Sequence, residues 1–214
     1  MMDGMETGLQ RLEGPATTEA VVVALPGGME RSYHRATRHQ PSYLRMLPMG
    51  ASLRRWGRPH GVAVWIVRYR YRGWNGADMS PLDDGLFALE KVRRTHGDVP
   101  VILLGHSMGG RSALRLAGDP SVRSVVALAP WLPDGEPTSQ LAGRRVMIGH
   151  GSRDRVTDPA ASRAYAARAA AEHGPGTVQL VIVEGEGHSL LRRPLTWDRL
   201  IRRHVAASLG LPPA

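Results

Sequence analysis

The chain has 214 residues, which is enough for one α/β domain but leaves little room for a second domain with a core of its own. It contains no cysteine, which excludes disulfides, a thiolate nucleophile and cysteine-bound metals. The formal net charge is +9.

This charge comes from 28 basic residues, of which only Lys91 is a lysine, and the arginines are scattered along the chain. A protein that binds nucleic-acid phosphates would be expected to cluster its cations. The scatter therefore argues against nucleic acid as a partner and fits an anionic small-molecule substrate better. No stretch approaches the ~18 apolar residues of a membrane span. We expect a soluble, cytoplasmic protein that makes no membrane contact, and the oligomeric state stays open.

Apolar segments rich in β-branched residues alternate with segments of helical periodicity, a pattern typical of a parallel sheet covered on both faces. The predicted strands are Glu19–Leu25, Val62–Tyr69, Val99–Leu104, Val122–Leu128, Arg145–Ile148 and Val178–Val183. The predicted helices are Ser42–Trp56, Asp83–His96, Gly109–Ala117, Pro159–His173 and Trp197–Leu209. The expected fold is a doubly wound, mostly parallel α/β sheet of about six strands. Residues 1–17 are expected to be a flexible leader, and residues 18–210 a single domain.

Ser107 lies in a segment that is predicted to run from buried strand through sharp turn to helix. The flanking Gly105 and Gly109 have the spacing of a turn that exposes a nucleophilic serine above a sheet. The alternative is a glycine-rich turn that serves packing or phosphate binding. A phosphate loop would need a lysine after its glycines, and none follows here. The turn therefore predicts Ser107 to be a nucleophile.

With this strand, turn and helix, the chain resembles the α/β-hydrolase superfamily, and Gly105–Gly110 is similar to the elbow of its lipase, esterase and thioesterase members. The resemblance covers residues 18–209. It implies a compact serine hydrolase with a Ser-His-Asp triad and no cofactor.

A serine hydroxyl needs an imidazole to take its proton. His188 follows the last predicted strand in a glycine-flanked loop, and it comes last in the expected order of nucleophile, acid and base. Asp154 follows the fifth strand, in a segment that resembles the acid loop of the family. Asp158 is the rival acid, although its place before Pro159 suits a helix cap better. The remaining histidines show no metal-ligand spacing, so we expect no metal site.

Two backbone amides are expected to bind the oxyanion. Met108, directly after the nucleophile, is predicted to provide one. The loop after the first strand resembles the His-Gly-x element of the family, with Pro26 in place of the histidine. It implies Gly28 as the other donor, with Met29 as the second choice; a plain glycine turn is the alternative.

The pocket is expected to involve Trp74 and Trp131, with Arg72 as a clamp for a carboxylate or phosphate; the equal alternative is that all three are ordinary rim residues. Only Leu132–Gly143 separate the fourth and fifth strands, which leaves no space for a helical lid. An open site argues against an interfacially activated lipase and favours a small soluble ester or thioester.

The leading hypothesis is thus a serine carboxylesterase or thioesterase that proceeds through an acyl-enzyme. One alternative keeps the triad but changes the chemistry, as in relatives similar to dienelactone hydrolases, peptidases or cyclising enzymes. Another is a hydrolase fold retained as a non-catalytic binding protein.

Overall fold

The computed structural model describes residues 7–12 and 14–212. Its strands are β1 (Gly8–Arg11), β2 (Ala20–Leu25), β3 (Val62–Arg68), β4 (Val101–His106), β5 (Val122–Leu128), β6 (Arg145–Gly151) and β7 (Val178–Val183). Its helices are α1 (Pro41–Gly57), α2 (Ser80–His96), α3 (Met108–Arg115), α4 (Pro159–His173) and α5 (Pro194–Leu209).

The strands form one sheet in the order β1-β3-β2-β4-β5-β6-β7. All neighbouring pairs are parallel except β1 with β3. From β2 to β7 every connection between successive strands contains an α-helix except that from β5 to β6, as the alternation of strand and helix predicts. The predicted doubly wound α/β fold is confirmed.

The N-terminal part of the chain differs from the prediction. Residues 8–11 were included in the expected leader, yet they form β1, which pairs antiparallel with β3 from Gly8 opposite Arg68 to Arg11 opposite Trp65. A four-residue edge strand carries too little periodic pattern to identify from sequence. Residues 1–6 of the expected leader lie outside the described residues.

The fifth predicted strand is longer than expected. It continues beyond Ile148 because His150 and Gly151 pair with Ile182 and Val183 of β7. This extension carries the chain to the edge of the sheet where Asp154 follows.

Alternation along each strand divides the core into two layers. In β2, Val21, Val23 and Leu25 face α2, α3 and α4, whereas Val22 and Ala24 face α1 and α5. Both sets are fully buried. The sheet is therefore covered on both faces, and polar groups can gather only at its edges.

Helix α3 approaches the sheet more closely than any side chain would permit. A Cβ on Gly109 would lie 2.0 Å from the Leu25 carbonyl oxygen and 2.4 Å from that of Pro26. A Cβ on Gly105 would lie 2.0 Å from the Gly109 carbonyl oxygen. These two glycines let the start of α3 sit directly against the ends of β2 and β4.

We predict that Gly109→Ala destabilises the protein by about 2–3 kcal/mol, because backbone cannot yield to the new methyl group. Helix propensity alone would favour alanine by about 1 kcal/mol, so the sign of the change separates the two effects. The measurement is denaturant unfolding. Gly14→Ala is the matched control, since its Cβ would meet only the Ala63 Cβ at 3.8 Å. A Gly109→Ala protein as stable as the wild type would contradict the close approach.

Candidate active site

Ser107 occupies the turn between β4 and α3 in a conformation that few non-glycine residues adopt. Its φ is 56° and its ψ is −119°. Such a conformation costs about 1–3 kcal/mol and persists only where the surroundings enforce it. The Ser107 amide donates to the Leu128 carbonyl at 2.9 Å, and its carbonyl accepts from the amides of Arg111 and Trp131. The serine is thus fixed between two strand ends and a helix start.

His188 and Asp154, from different loops, meet in a hydrogen bond. The His188 Nδ1 lies 2.8 Å from the Asp154 Oδ2, and the aspartate side chain is completely buried whereas that of histidine is 17% exposed. A carboxylate accepts only, so Nδ1 carries the proton and Nε2 is left as the basic nitrogen. The structure therefore brings these two predicted residues together.

His106, which directly precedes Ser107 in the chain, contacts His188. The ring centroids of the His106 and His188 imidazoles are 4.8 Å apart, and the His106 Nε2 lies 2.9 Å from the His188 carbonyl oxygen. Burial, and after it the nearby His188, lowers the pKa of His106 to about 3. His106 is therefore neutral and donates its Nε2 proton to that carbonyl, which holds the His188 loop against the elbow.

Asp158, the rival acid, has another role. Its Oδ1 accepts the Ala160 amide at 2.8 Å, which caps α4, and Pro159 occupies the first turn. The carboxylate that accepts the hydrogen bond from His188 is that of Asp154.

Asp154 is a buried charge that is satisfied from several sides. Its Oδ1 accepts the amides of Val156 at 2.8 Å and Thr157 at 3.0 Å. Burial by itself would raise the pKa of Asp154, but hydrogen bonds from His150, His188 and these amides lower it well below the usual range. The carboxylate is ionised at neutral pH and can stabilise a charged imidazole.

His150 packs beneath the loop that carries Asp154, as its place at the end of β6 predicts. It is completely buried, its Nδ1 lies 2.8 Å from the Ser162 hydroxyl, and its Nε2 lies 3.2 Å from the Asp154 Oδ2. Its place at the end of β6, four residues before the acid, is the only signal in the sequence. Asp154 thus has a histidine on each side.

Glu186 organises the loop that carries His188. It is fully buried. Its carboxylate accepts the amides of Gly187 and Arg193, both at 2.9 Å, and the Trp197 indole N–H at 3.1 Å. Burial raises the pKa of Glu186, but these donors outweigh it and the pKa is lowered. The carboxylate therefore ties the His188 loop to α5.

Gly28 and Met108, the two predicted oxyanion donors, are residues that contact each other. Met108 begins α3, so its amide has no acceptor within the helix. Gly28 packs against it, because a Cβ on Gly28 would lie 2.3 Å from the Met108 Cε. The Met29 amide instead donates to the Arg72 carbonyl at 2.8 Å. Of the two candidates in this loop, the structure favours Gly28 over Met29.

The predicted pocket tryptophans are arranged around Arg111. The Arg111 guanidinium carbon lies 3.8 Å from the Trp74 ring centroid and 4.5 Å from that of Trp131, and the two indoles are nearly perpendicular. Trp74 is only 2% exposed and belongs to the core, whereas Trp131 is partly exposed. Trp131 can line a site, and Trp74 supports it from behind.

Residues 129–144 connect β5 to β6 and contain a single helical turn at Ser139–Leu141. Glu136, 3% exposed, accepts from the Arg111 Nε at 2.7 Å and the Arg115 Nε at 2.8 Å. The Tyr165 hydroxyl donates to the Pro137 carbonyl. This short connection is thus fastened to α3 and α4 where a lid would otherwise be inserted.

The described part of the chain contains neither a candidate metal site nor a helix that could span a membrane. There, no group of three or more His, Cys, Asp or Glu side chains is arranged to hold a metal ion. No helix within the same residues has the length and apolar character to cross a bilayer.

We predict that Glu186→Gln lowers the free energy of unfolding by about 1–3 kcal/mol at about pH 7, since the amide loses charge-assisted hydrogen bonds. A carboxylate with a lowered pKa stabilises the fold above its ordinary pKa, and the contribution is lost as pH falls. The difference from wild type should therefore narrow towards about pH 3. Urea unfolding at both pH values measures it. Glu184→Gln, at an exposed glutamate, is the control. A difference that grows on acidification would refute the role of Glu186.

Comparison with known proteins agrees with this architecture. A sequence profile described as the alpha/beta hydrolase fold matches residues 86–180. No curated protein sequence matches the chain.

Solved structures resemble the chain over almost its whole length. A thermophilic esterase from Thermogutta terrifontis is 17% identical, with a TM-score of 0.71 over 100% of this chain and 93% of that one. An α/β serine hydrolase without a lid from Xanthomonas campestris is 17% identical, with a TM-score of 0.64 over 99% and 98%. A serine hydrolase homologue from Coxiella burnetii is 17% identical, with a TM-score of 0.68 over 94% and 91%. With the profile match and the sheet order, these similarities show that the chain has the α/β-hydrolase fold.

Proposed function

We propose that the protein is a serine hydrolase that cleaves small carboxylic esters or thioesters through an acyl-enzyme. The observation that carries the proposal is the 2.8 Å hydrogen bond from the His188 Nδ1 to the buried Asp154 carboxylate, beside a serine held at positive φ. A buried carboxylate costs free energy unless it is paired, and here His188 is one of its partners. In this proposal the Asp154 carboxylate orients His188 as the base for Ser107.

In the acylation step, the Ser107 Oγ attacks the carbonyl carbon while its proton passes to the Nε2 of His188. The negative charge that develops on the carbonyl oxygen is bound by the amides of Met108 and Gly28, aided by the positive end of α3. The imidazolium is stabilised by Asp154. When the tetrahedral intermediate collapses, the proton on Nε2 passes to the leaving alcohol or thiol, and the acyl group remains on Ser107.

Deacylation repeats these steps with water. The Nε2 of His188 takes a proton from the water that attacks the acyl carbon, and the same oxyanion donors act again. Collapse releases the carboxylic acid and returns the proton from Nε2 to the Ser107 oxygen. Asp154 keeps its charge throughout.

The surroundings of Ser107 support a small substrate. The connection from β5 to β6 is short and fastened by Glu136, so Trp131 forms a fixed wall and no mobile lid adds area for a long chain. The Thermogutta esterase has been solved with butyrate bound, and also phosphonylated by cyclosarin. A short acyl group and reactivity towards organophosphorus agents are therefore the properties to test.

We predict that a fluorophosphonate probe labels the folded protein once, at Ser107, as read by intact-protein and peptide mass spectrometry. Ser107→Ala should lose both labelling and hydrolysis of p-nitrophenyl butyrate. Ser139→Ala, at an exposed serine, is the matched control and should keep both. Absence of labelling in folded wild-type protein, or full turnover by Ser107→Ala, would rule the proposal out.

The two candidate acids can be separated with one conservative change each. We predict that Asp154→Asn lowers kcat by about 10³–10⁴-fold, because an amide cannot hold the imidazole in the correct tautomer or balance its charge. Asp158→Asn should change kcat by less than about twofold, since asparagine caps a helix as well as aspartate. Circular dichroism checks that both variants are folded. The reverse pattern would assign the acid to Asp158.

A further inference from the structure

The end of β6 carries a histidine that no step of the proposed reaction uses. His150 is completely buried, and its Nε2 lies 3.2 Å from the Asp154 Oδ2 and 3.3 Å from the Thr157 carbonyl oxygen. Its Nδ1 lies 2.8 Å from the hydroxyl of Ser162 on α4. Ser162 is also fully buried, so no substrate reaches this second pair of serine and histidine. Any effect of His150 on the reaction is therefore exerted through Asp154.

The contacts of His150 fix which ring nitrogen carries its proton. The Asp154 carboxylate and the Thr157 carbonyl are acceptors only, so Nε2 is protonated and faces both oxygens. In the neutral ring Nδ1 is then the acceptor, and the Ser162 hydroxyl donates to it. A chain of donors thus runs from Ser162 through His150 to Asp154.

The Oδ2 of Asp154 is shared between the two histidines. It accepts from the His188 Nδ1 at 2.8 Å and from the Thr157 hydroxyl at 2.9 Å, and the His150 Nε2 faces it at 3.2 Å. Each donor stabilises the negative charge, and a carboxylate that is already stabilised attracts a further proton less strongly. His150 therefore weakens the interaction of Asp154 with a charged His188.

Few titratable groups other than Asp154 face His188. The second imidazole in contact with it is that of His106, at the end of β4. Burial, then the neighbouring His188 and then Arg45 on α1, lowers the pKa of His106 to about 3, so His106 stays neutral. Glu186, in the His188 loop, is turned to amides of that loop and to an indole of α5. Among the described residues, Asp154 is thus the only carboxylate bonded to the His188 ring.

We propose that His150 is a positioning residue for His188: through the shared Oδ2 of Asp154 it keeps the His188 Nε2 unprotonated at mildly acidic pH. This inference rests on the proposed hydrolase function and concerns the pH dependence of the same site. Acylation of Ser107 requires an unprotonated Nε2 in the free enzyme. Loss of the His150 donor should strengthen the pair of Asp154 and charged His188, and should move the acid limb of the pH profile to higher pH.

The first measurement is the pH profile of kcat/KM for p-nitrophenyl butyrate. His150→Leu removes the donor and keeps an apolar side chain at this buried position. It should raise the midpoint of the acid limb by about half a pH unit or more. His150→Gln can place its amide N–H near the position of Nε2, so this conservative variant should reverse most of the shift.

His204→Leu is the matched control, because it also removes a buried histidine that contacts a serine. The His204 Nε2 lies 2.7 Å from the hydroxyl of Ser124, near the start of β5 and thus at the opposite end of the sheet from Asp154. This variant should lose stability, but its acid limb should stay where it is in the wild type. A midpoint that does not move in His150→Leu, or that moves equally in His204→Leu, would overturn the role of His150.

Nitrogen NMR of the histidine rings tests the inference without any turnover. In the wild-type protein, the His150 ring should carry its proton on Nε2 and not on Nδ1. The titration midpoint of His188 should rise in His150→Leu by the same amount as the acid limb. A His150 ring protonated only on Nδ1 has no proton to direct at Asp154, and it would overturn the proposal even if His150→Leu failed to fold.

The outcomes distinguish this inference from the proposed function. If Ser107 is labelled and the ester is cleaved but neither midpoint moves, only the role of His150 is wrong. If Ser107 is not labelled and no ester is cleaved, the hydrolase function is wrong. In that case the NMR midpoint of His188 alone decides whether His150 acts through Asp154, and an unchanged midpoint refutes it.

Discussion

The carboxylate of Asp154 is the charge around which the candidate site is assembled. An ionised group that is fully buried must have its lone pairs satisfied, and among the described residues five groups do so: two amides of its own loop, the Thr157 hydroxyl, and the imidazoles of His150 and His188. The same interactions bring the ends of β6 and β7 together with the start of α4. If the loop after β6 shifted, the aspartate would lose its amides and His188 its orientation in one event. Stability and the proposed chemistry therefore depend on the same contacts.

A second buried carboxylate stabilises the opposite wall of the site. Glu136 lies between Arg111 and Arg115, so the cluster keeps one net positive charge, and the Arg111 guanidinium spreads over the faces of Trp74 and Trp131. Burial lowers the pKa of Arg111, although Glu136 acts in the other direction. Burial of ion pairs such as those of Glu136 with Arg111 and Arg115 adds little net stability, but it restricts the positions of the side chains involved. The result is a rigid indole next to Ser107 where larger relatives of the fold have room for a lid.

The sequence was sufficient for the features that depend on local pattern. The alternation of strands and helices, the sharp turn at Ser107 and the helix cap at Asp158 follow from periodicity, glycine spacing and a proline at a helix start. Contacts between distant segments could not be inferred in this way. Glu186 looks like an ordinary loop residue until Trp197 and the Arg193 amide are brought to it, and β1 is too short to stand out before β3 provides its partner. Trp74 was read as a pocket wall because a loop position does not reveal burial, and the fold places it in the core.

The arginines near the active end of the sheet fall into two kinds, and the distinction changes how the basic composition is understood. Arg70, Arg111 and Arg115 meet carboxylates of this chain, so their charges are used within the fold. Arg45 has no such partner among the described residues and its Nε is buried without a hydrogen-bond partner, whereas the Arg72 Nε donates to the Arg35 carbonyl. The total of +9 therefore does not describe the positive charge that a ligand would meet at this end of the sheet, because part of it is neutralised within the fold.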